Sequence, residues 1–214
     1  MFSLRIAEIY RSIQGESIFA GWPCVFIRLA GCDLRCVYCD EPHALSGGER
    51  LELAQVLDRI RPWSIPMVEL TGGEPLLQPA LPVLIERLLA EGYRVLLETG
   101  GHRDISGLDP RVHVILDVKT PGSGMHEHAD LENLVRLREG SEVKFVLCDR
   151  RDYEWARELV RARGLEARFH VAFSPAHGVL DPRELVKWML DDDLHVRLNL
   201  QLHKYVWGSD VRGV

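Results

Sequence analysis

Three closely spaced cysteines constrain this chain more than any other feature. Cys32, Cys36 and Cys39 form a C-x3-C-x2-C pattern within eight residues. This spacing folds three thiolates around one point, so it indicates a metal site, whereas disulfides use sulfurs in pairs. A structural zinc site takes four protein ligands, and a cubane iron–sulfur cluster takes four cysteines when it is fully ligated. Three thiolates on such a cluster leave one iron open to a small molecule.

The same stretch is also compatible with a zinc site. His43 completes a C-x3-C-x2-C-x3-H pattern, which is typical of a Cys3His zinc ion in a non-catalytic interaction module. The other two cysteines, Cys24 and Cys148, lie in apolar runs and are expected to be buried as small hydrophobic residues. Five cysteines with three of them clustered do not resemble a secreted disulfide framework, so we expect a reducing, cytoplasmic environment.

Length and charge narrow the class of protein further. A chain of 214 residues with 46% apolar residues predicts one globular domain, residues 1–214. No apolar run approaches the roughly 20 residues of a membrane span, and we see no secretory signal. The net charge of −6 does not favour nucleic-acid binding, for which a basic face is expected.

Alternating strand and helix patterns predict an α/β fold. We expect strands at 4–10, 24–30, 67–71, 93–98, 112–118, 142–147, 168–173 and 195–200. We expect helices at 51–61, 79–91, 130–138, 151–163 and 182–191. This alternation indicates a parallel sheet with right-handed crossovers. About six such units are too few for an eight-stranded barrel, so a partial (β/α)6 TIM-like barrel is predicted.

The unusual residues follow the ends of these strands. The cysteine loop, GGEP at 72–75, TGG at 99–101, DVK at 117–119 and Ser174-Pro175 each come directly after a strand. Active sites of β/α barrels are built at the carboxyl ends of the strands. A structural zinc site would not require this convergence, which therefore favours an enzyme.

The cysteine pattern, with Tyr38 before its last cysteine, and the GGEP segment together resemble the radical S-adenosylmethionine (SAM) enzymes. The resemblance implies a [4Fe–4S] cluster on Cys32, Cys36 and Cys39 whose open iron binds SAM. It also implies that the reduced cluster cleaves SAM to a 5′-deoxyadenosyl radical, which abstracts hydrogen from a substrate. The SAM-binding residues carried over from this resemblance are Tyr38, Asp40, Gly73, Glu74, Gly101, Asp117, Val118, Lys119, Ser174 and Pro175.

A wider pattern points to one subgroup. IQGE, FIRLAGCDLRCVYCD, TGGEP, ETGG and a terminal QLHKYVWG…RGV are similar to the 7-carboxy-7-deazaguanine synthase family over nearly the whole chain. The resemblance implies conversion of 6-carboxy-5,6,7,8-tetrahydropterin to 7-carboxy-7-deazaguanine by radical ring contraction with loss of ammonia, in queuosine and 7-deazapurine biosynthesis. The pterin-binding residues that it implies are Ile13, Gln14, Gly15, Arg28, Thr99 and His203.

The same resemblance implies further components. These are Mg2+ beside the cluster and SAM, an external electron donor such as flavodoxin or ferredoxin, a homodimer, and a tail at 200–214 that closes the active site. One alternative within the radical SAM class is a glycyl-radical activase, which acts on a protein backbone. Such an enzyme would need neither the IQGE loop nor a closing tail.

The chain departs from the family pattern at four places. Ser17 replaces a common glycine, and Asp117-Val118-Lys119 and Ser174-Pro175 replace the usual Ser-Pro-Lys and Gln-Pro. The SAM contacts at the last two segments are therefore open. Glu41 stands where the family usually has a Thr or Ser whose hydroxyl ligates Mg2+. A carboxylate suits this hard cation, so we expect Glu41 to bind Mg2+, but it could equally repel the substrate carboxylate.

Overall fold

One mixed sheet of nine strands carries the fold in the computed structural model, which describes residues 2–214. The strands lie in the order β3-β1-β2-β4-β5-β6-β7-β8-β9. Their bounds are β1 Ser3–Ile13, β2 Pro23–Leu29, β3 Glu49–Glu52, β4 Met67–Gly72, β5 Arg94–Thr99, β6 His113–Asp117, β7 Glu142–Leu147, β8 His170–Pro175 and β9 Arg197–Leu198. All neighbouring pairs from β2 to β9 are parallel.

The helices follow the strands as a β/α arrangement requires. Their bounds are α1 Leu53–Ile60, α2 Leu81–Ala90, α3 Asn133–Arg136, α4 Arg150–Arg163, α5 Pro182–Asp191 and α6 Leu202–Trp207. The two edges of the sheet, β3 and β9, are not paired with each other, so the barrel is incomplete. The predicted fold class, a partial β/α barrel, is confirmed.

Successive residues of each parallel strand face opposite sides of the sheet. On β2, Val25, Ile27 and Leu29 belong to the large core between the sheet and the helices. The alternate residues Cys24 and Phe26 belong to a smaller apolar cluster with Met67, Leu96 and Ile115. The sheet therefore carries a layer of apolar residues on both faces, and polar inner-face residues begin where this second cluster ends.

The structure differs from the sequence expectation in several elements. The opening strand β1 is antiparallel to both β2 and β3. Residues 49–52, partly expected to begin a helix, form β3 because they pair with the first residues of β1. The tail contains α6, which the sequence did not indicate. Such pairings join residues far apart in the chain, and local patterns do not report them.

Two smaller expectations were wrong. The helix expected at 130–138 is a single turn, α3, whose Asn133 side chain donates hydrogen bonds to the carbonyl oxygens of Gly101 and Arg103. Cys148 is only half-buried, because it lies just past the end of β7, whereas Cys24 is fully buried as expected. In the described part of the chain, no helix is long and apolar enough to cross a membrane.

The close contact between β2 and β4 predicts a difference between two glycines. A Cβ on Gly72 (φ +133°) would lie 2.1 Å from the carbonyl oxygen of Leu29, whereas a Cβ on Gly92 (φ +86°) would meet nothing within 4 Å. We expect Gly92→Ala to lower the free energy of unfolding by about 1 kcal/mol through backbone strain. Gly72→Ala should cost more than about 3 kcal/mol, because strain and overpacking combine. Urea unfolding of both variants measures this, and equal losses would contradict the packing described.

Candidate active site

A cavity of about 680 Å³ opens at the carboxyl ends of the parallel strands. We call it the central cavity. Every residue that the family resemblance assigned to the cluster, SAM, the pterin or Mg2+ lines it except Gly101 and Val118. The Gly101 carbonyl oxygen accepts a hydrogen bond from Asn133, and Val118 is buried in the large core. The sheet thus brings together segments from the first forty residues and the last fifteen.

Hydrogen bonds to neighbouring segments hold the cysteine loop in place, most of them formed by its backbone. Gly31 and Cys32 donate their N–H groups to the carbonyl oxygens of Ala44 and Leu45, at 2.8 and 3.3 Å. Val37 donates to Ser123 at 3.1 Å, and the Asp33 carboxylate lies 2.7 Å from His102 Nε2. These contacts leave the thiols of Cys32, Cys36 and Cys39 to line the central cavity.

His43 does not join the cysteines. Its Nδ1 lies 3.3 Å from Glu41, and its Nε2 contacts Glu8. Within residues 2–214, no group of three or more His, Cys, Asp or Glu side chains is arranged to hold a single metal ion. A cluster gives each thiolate its own iron, so its ligands stand farther apart than those of one ion. The geometry therefore contradicts a zinc site completed by His43.

The GGEP segment packs directly on the cysteine loop. Gly73 and Glu74 donate their N–H groups to the carbonyl oxygens of Leu29 and Gly31, at 3.0 and 2.8 Å. A Cβ on Gly73 would lie 2.2 Å from the Gly31 oxygen. The sequence suggested that this glycine lets the backbone approach a ligand, but in the structure it lets two protein loops touch.

Glu74 joins three segments of the site through its carboxylate. It accepts hydrogen bonds from the Thr99 hydroxyl at 2.8 Å, the Gly100 N–H at 2.8 Å and the Leu76 N–H at 3.0 Å. The residue is 1% exposed. Since buried carboxylates need such partners, Glu74 and Thr99 together fix the loops after β4 and β5. Their proposed contacts with SAM and pterin stay predictions.

One side of the cavity holds polar atoms that have no partner. The Lys119 ammonium contacts one oxygen of Asp117 at 2.8 Å. The other oxygen of Asp117 and the hydroxyl of Tyr38 are buried without any hydrogen-bond partner. Buried polar groups are normally satisfied, and SAM carries hydroxyl, amine and carboxylate groups that suit these three side chains. The residues present therefore fit the cofactor that the cysteine motif implies.

The floor of the cavity is a dense set of charges. The Lys144 ammonium contacts Glu98, lies 3.2 Å from Glu16 and lies 3.9 Å from Asp117. Burial acts to lower the pKa of Lys144, but these carboxylates outweigh it and raise that pKa well above the ordinary value. Lys144 therefore stays charged and holds the three carboxylates together.

Glu69 is the one floor carboxyl without a cation beside it. It is 3% exposed, and its carboxyl accepts a hydrogen bond from the Gln14 side-chain amide. The Gln14 oxygen accepts the N–H of Glu16 at 2.7 Å, which fixes the orientation of the amide. Burial raises the pKa of Glu69 well above the ordinary value, and the charges of Glu98 and Glu16 add to this.

The sequence reasoning missed these floor residues as site candidates. Glu69, Glu98 and Lys144 lie within largely apolar strands, where Glu69 and Lys144 each stand between two apolar residues and Glu98 follows two leucines. A period of two along a strand places such residues on the inner face. That alternation was the available signal, and strand-end motifs alone did not reveal it.

The tail lies over the opening and contacts the first loop. Gln201 donates its amide to Glu16 at 3.1 Å and to Asp40 at 2.9 Å, and Lys204 contacts Asp40 at 3.0 Å. Burial acts to raise the pKa of Asp40, but Lys204 and Gln201 outweigh it and lower that pKa. His203 packs on Gly15, whose missing side chain leaves the required space.

Arg28 lies on the inner face near the mouth of the cavity. Its Nη2 donates to the Tyr10 hydroxyl at 2.9 Å and contacts Glu41 at 2.8 Å. Burial raises the pKa of Tyr10 to about 12, although Arg28 opposes the shift. Arg28, suggested as a substrate ligand, and Glu41, suggested as a magnesium ligand, are therefore paired with each other in the structure.

Comparison with known proteins agrees with this geometry. The Radical SAM superfamily model matches residues 26–120. Two relatives named 7-carboxy-7-deazaguanine synthase, from Chlorobaculum tepidum and Koribacter versatilis, are 45% and 44% identical to this chain. The alignments cover 99% of the chain and 97% and 100% of those proteins. The crystal structure of QueE from Escherichia coli has a TM-score of 0.78 at 24% identity, covering 94% of this chain and 95% of that one.

The partial barrel and its three-cysteine loop define a radical SAM enzyme. Within that class, the chain belongs to the 7-carboxy-7-deazaguanine synthase family. The family and the enzyme class that the sequence motifs indicated are confirmed. The E. coli structure, at its lower identity, supports the fold.

The position of Glu69 predicts how stability depends on pH. Because its pKa is higher in the folded than in the unfolded protein, its stabilising contribution is lost as pH rises from about 4.3 towards the folded pKa. We expect the stability of Glu69→Gln relative to the wild type to increase as pH rises above about 4.3 towards the folded pKa of Glu69, by at most about 1.4 kcal/mol per pH unit.

Urea unfolding across this pH range measures the difference. The exposed Glu86→Gln variant serves as the matched control and should follow the wild type at every pH. Parallel curves for Glu69→Gln and the wild type would show that Glu69 is ionised in the folded protein.

Proposed function

We propose that this chain converts 6-carboxy-5,6,7,8-tetrahydropterin to 7-carboxy-7-deazaguanine. The observation that carries the proposal is full-length similarity, at 45% identity, to a protein of that name. The queuosine and 7-deazapurine pathways are the setting that this activity implies. The distribution of charge in the central cavity supports the proposal independently.

The floor of the cavity suits the donor-rich edge of a pterin. Gln14, Glu69, Glu98 and Glu16 offer mostly acceptor oxygens, and only Lys144 opposes their charge among the floor residues. A pterin ring presents N–H and NH2 groups that can donate to such oxygens. We assign Ile13, Gln14 and Gly15 to this edge, and Thr99 and His203 to its sides.

The mouth of the cavity suits the substrate carboxylate. Arg28 is the buried cation there, and its Nε has no hydrogen-bond partner. A guanidinium binds a carboxylate through charge-assisted hydrogen bonds. Held at this end and at the floor, the substrate is fixed in one orientation, and such positioning contributes several kcal/mol to catalysis.

In the same cavity, Cys32, Cys36 and Cys39 would hold a [4Fe–4S] cluster, and Tyr38, Asp40 and the strand-end segments would hold SAM. When bound, cluster and SAM supply one-electron chemistry that removes a hydrogen atom from the substrate. Lys119 and Asp117 would bind polar groups of the cofactor. Ser174, Pro175, Gly73, Glu74 and the backbone around Gly101 and Val118 would complete or support its site.

The tail at 200–214 would close the cavity after substrate enters. Its contacts with Glu16 and Asp40 join it to both the pterin side and the cluster side. Closure of this kind excludes water from a reactive site. The proposal also includes a single catalytic domain, a homodimer, an external donor such as flavodoxin or ferredoxin, and a cytoplasmic location, all of which follow from the family resemblance.

The cluster assignment predicts different outcomes for two cysteines. Anaerobic reconstitution of Cys39→Ser should give a protein with little bound iron and sulfide and no turnover, because one cluster ligand is lost. Cys148→Ser, a half-buried cysteine that does not line the cavity, should retain the brown cluster. Iron and sulfide assays check this. Equal iron content in the two variants would contradict the assignment.

The reaction is tested directly with the reconstituted protein, SAM, dithionite, Mg2+ and 6-carboxytetrahydropterin. We expect 7-carboxy-7-deazaguanine and ammonia without any protein partner, measured by mass spectrometry of the products. A glycyl-radical activase would instead leave the pterin unchanged and install a radical on a protein substrate. That outcome would overturn the proposal.

We further propose that Glu41 ligates Mg2+ together with the substrate carboxylate and water, since this ion prefers oxygen ligands in an octahedron. Glu41 lines the mouth of the cavity on the same side as Arg28. Glu41→Gln should therefore lose most of the Mg2+ dependence of turnover. A variant whose rate rises with Mg2+ as steeply as that of the wild type would rule out this ligand.

A further inference from the structure

The pairing of Arg28 with Glu41 has consequences for the ligand carboxylate. The two side chains approach to 2.8 Å and are 11% and 30% exposed, so the contact is mostly shielded from solvent. An ion pair of this kind is screened less than a surface pair. The cation proposed for the substrate carboxylate is therefore in contact with a carboxylate of the chain.

The lysines that line the cavity are already paired with carboxylates of the chain. Lys119 is paired with Asp117, Lys144 with Glu16 and Glu98, and Lys204 with Asp40. Arg212 is exposed at the tail. Arg28 also keeps a buried Nε without a partner. It is thus the buried cation at which an incoming carboxylate can form new hydrogen bonds.

His43 offers the Glu41 carboxylate a second position, next to the one beside Arg28. Its other oxygen lies 3.3 Å from Nδ1 of His43, and Nε2 of the same ring contacts Glu8. Glu8 is opposite Arg28 in the β1–β2 register, so it holds the imidazole from the neighbouring strand. Glu41 can therefore leave Arg28 and turn towards His43, whose Nδ1 is buried and has no hydrogen-bond partner.

We propose that, without Mg2+, Glu41 is a built-in competitor for the ligand carboxylate at Arg28, and that His43 receives Glu41 when the ligand binds. This inference rests on the proposed function, because it assumes a ligand that carries a carboxylate. Two carboxylates facing one guanidinium repel each other. The ligand carboxylate consequently binds Arg28 only when Glu41 has turned away, and a ligand without a carboxylate does not compete with Glu41.

The test compares two ligands that differ in this one group. The probes are 7-carboxy-7-deazaguanine and 7-deazaguanine, titrated anaerobically by calorimetry into the reconstituted holoenzyme with SAM and no added divalent cation. Glu41→Gln keeps the shape of the side chain and removes its charge. We expect it to bind 7-carboxy-7-deazaguanine about tenfold more tightly than the wild type, with 7-deazaguanine within about twofold; tenfold corresponds to about 1.4 kcal/mol.

Glu86→Gln is the matched control, since Glu86 is exposed and does not line the cavity. It removes one negative charge and should change the affinity for either ligand by less than about twofold. If Glu41→Gln raises the affinity for both ligands by the same factor, the gain reflects general electrostatics, and the proposal is overturned. Unchanged or weaker binding of 7-carboxy-7-deazaguanine would overturn it too.

The role of His43 is tested by a double-mutant cycle. His43→Ala removes the second position for Glu41, so it should weaken 7-carboxy-7-deazaguanine binding several-fold in the wild-type background and leave it unchanged in Glu41→Gln. Thermal unfolding verifies that each variant folds. The same loss in both backgrounds would assign His43 a direct or structural role and overturn this part.

If the chain does not have the proposed function, the same experiments give a different result. In that case the wild type binds neither ligand and produces no 7-carboxy-7-deazaguanine, which overturns both proposals together. If only the competition is wrong, the wild type turns over and binds the carboxylated ligand, and Glu41→Gln gives no selective gain.

Discussion

The contact between the cysteine loop and the GGEP segment is the constraint on which the rest of the site depends. Parallel pairing of β2 and β4 brings the ends of the two strands side by side, with Leu29 opposite Gly72. Only glycine fits there, because a side chain on Gly72 would collide with the backbone of Leu29 at the end of β2, and one on Gly73 with the backbone of Gly31 in the cysteine loop. The position of the three thiols is therefore set by main-chain packing.

Buried charge extends this rigid arrangement across the sheet. Glu74 accepts three hydrogen bonds and joins the ends of β4 and β5, while Lys144 joins carboxylates from the first loop, β5 and β6. Each charged group is kept in the interior by partners on other strands, because an unpaired buried charge is costly. The result is a cavity whose polar groups are preorganised, as a site for controlled one-electron chemistry requires.

Glu41 gives the mouth of the cavity a property that a hydroxyl residue would not. A Thr or Ser at this position could not form an ion pair with Arg28. The carboxylate instead links Arg28, His43 and Glu8 into one group of side chains. A single departure from the family pattern thus changes the electrostatics of the end that faces the substrate carboxylate.

Local signals in the sequence were sufficient for the parallel strands and for the residues at their ends. The C-x3-C-x2-C spacing, the apolar runs and the turn motifs each act over a few residues, and the sheet then brings them to one rim. By contrast, helix α3 was overestimated because the Asn133 side chain binds the loop after β5. Gly101 and Val118 were placed in the site by motif, yet they do not line the cavity.

The sequence by itself determined the class of fold, the cluster-binding loop and the family. The tertiary structure alone decided that β1 is antiparallel to its neighbours, that Glu69, Glu98 and Lys144 meet on the floor, and that Glu41 contacts Arg28. The physical reason is distance along the chain. Strand periodicity, turns and metal-ligand spacing are short-range properties, whereas charge pairs between strands depend on which inner-face residues the sheet brings next to one another.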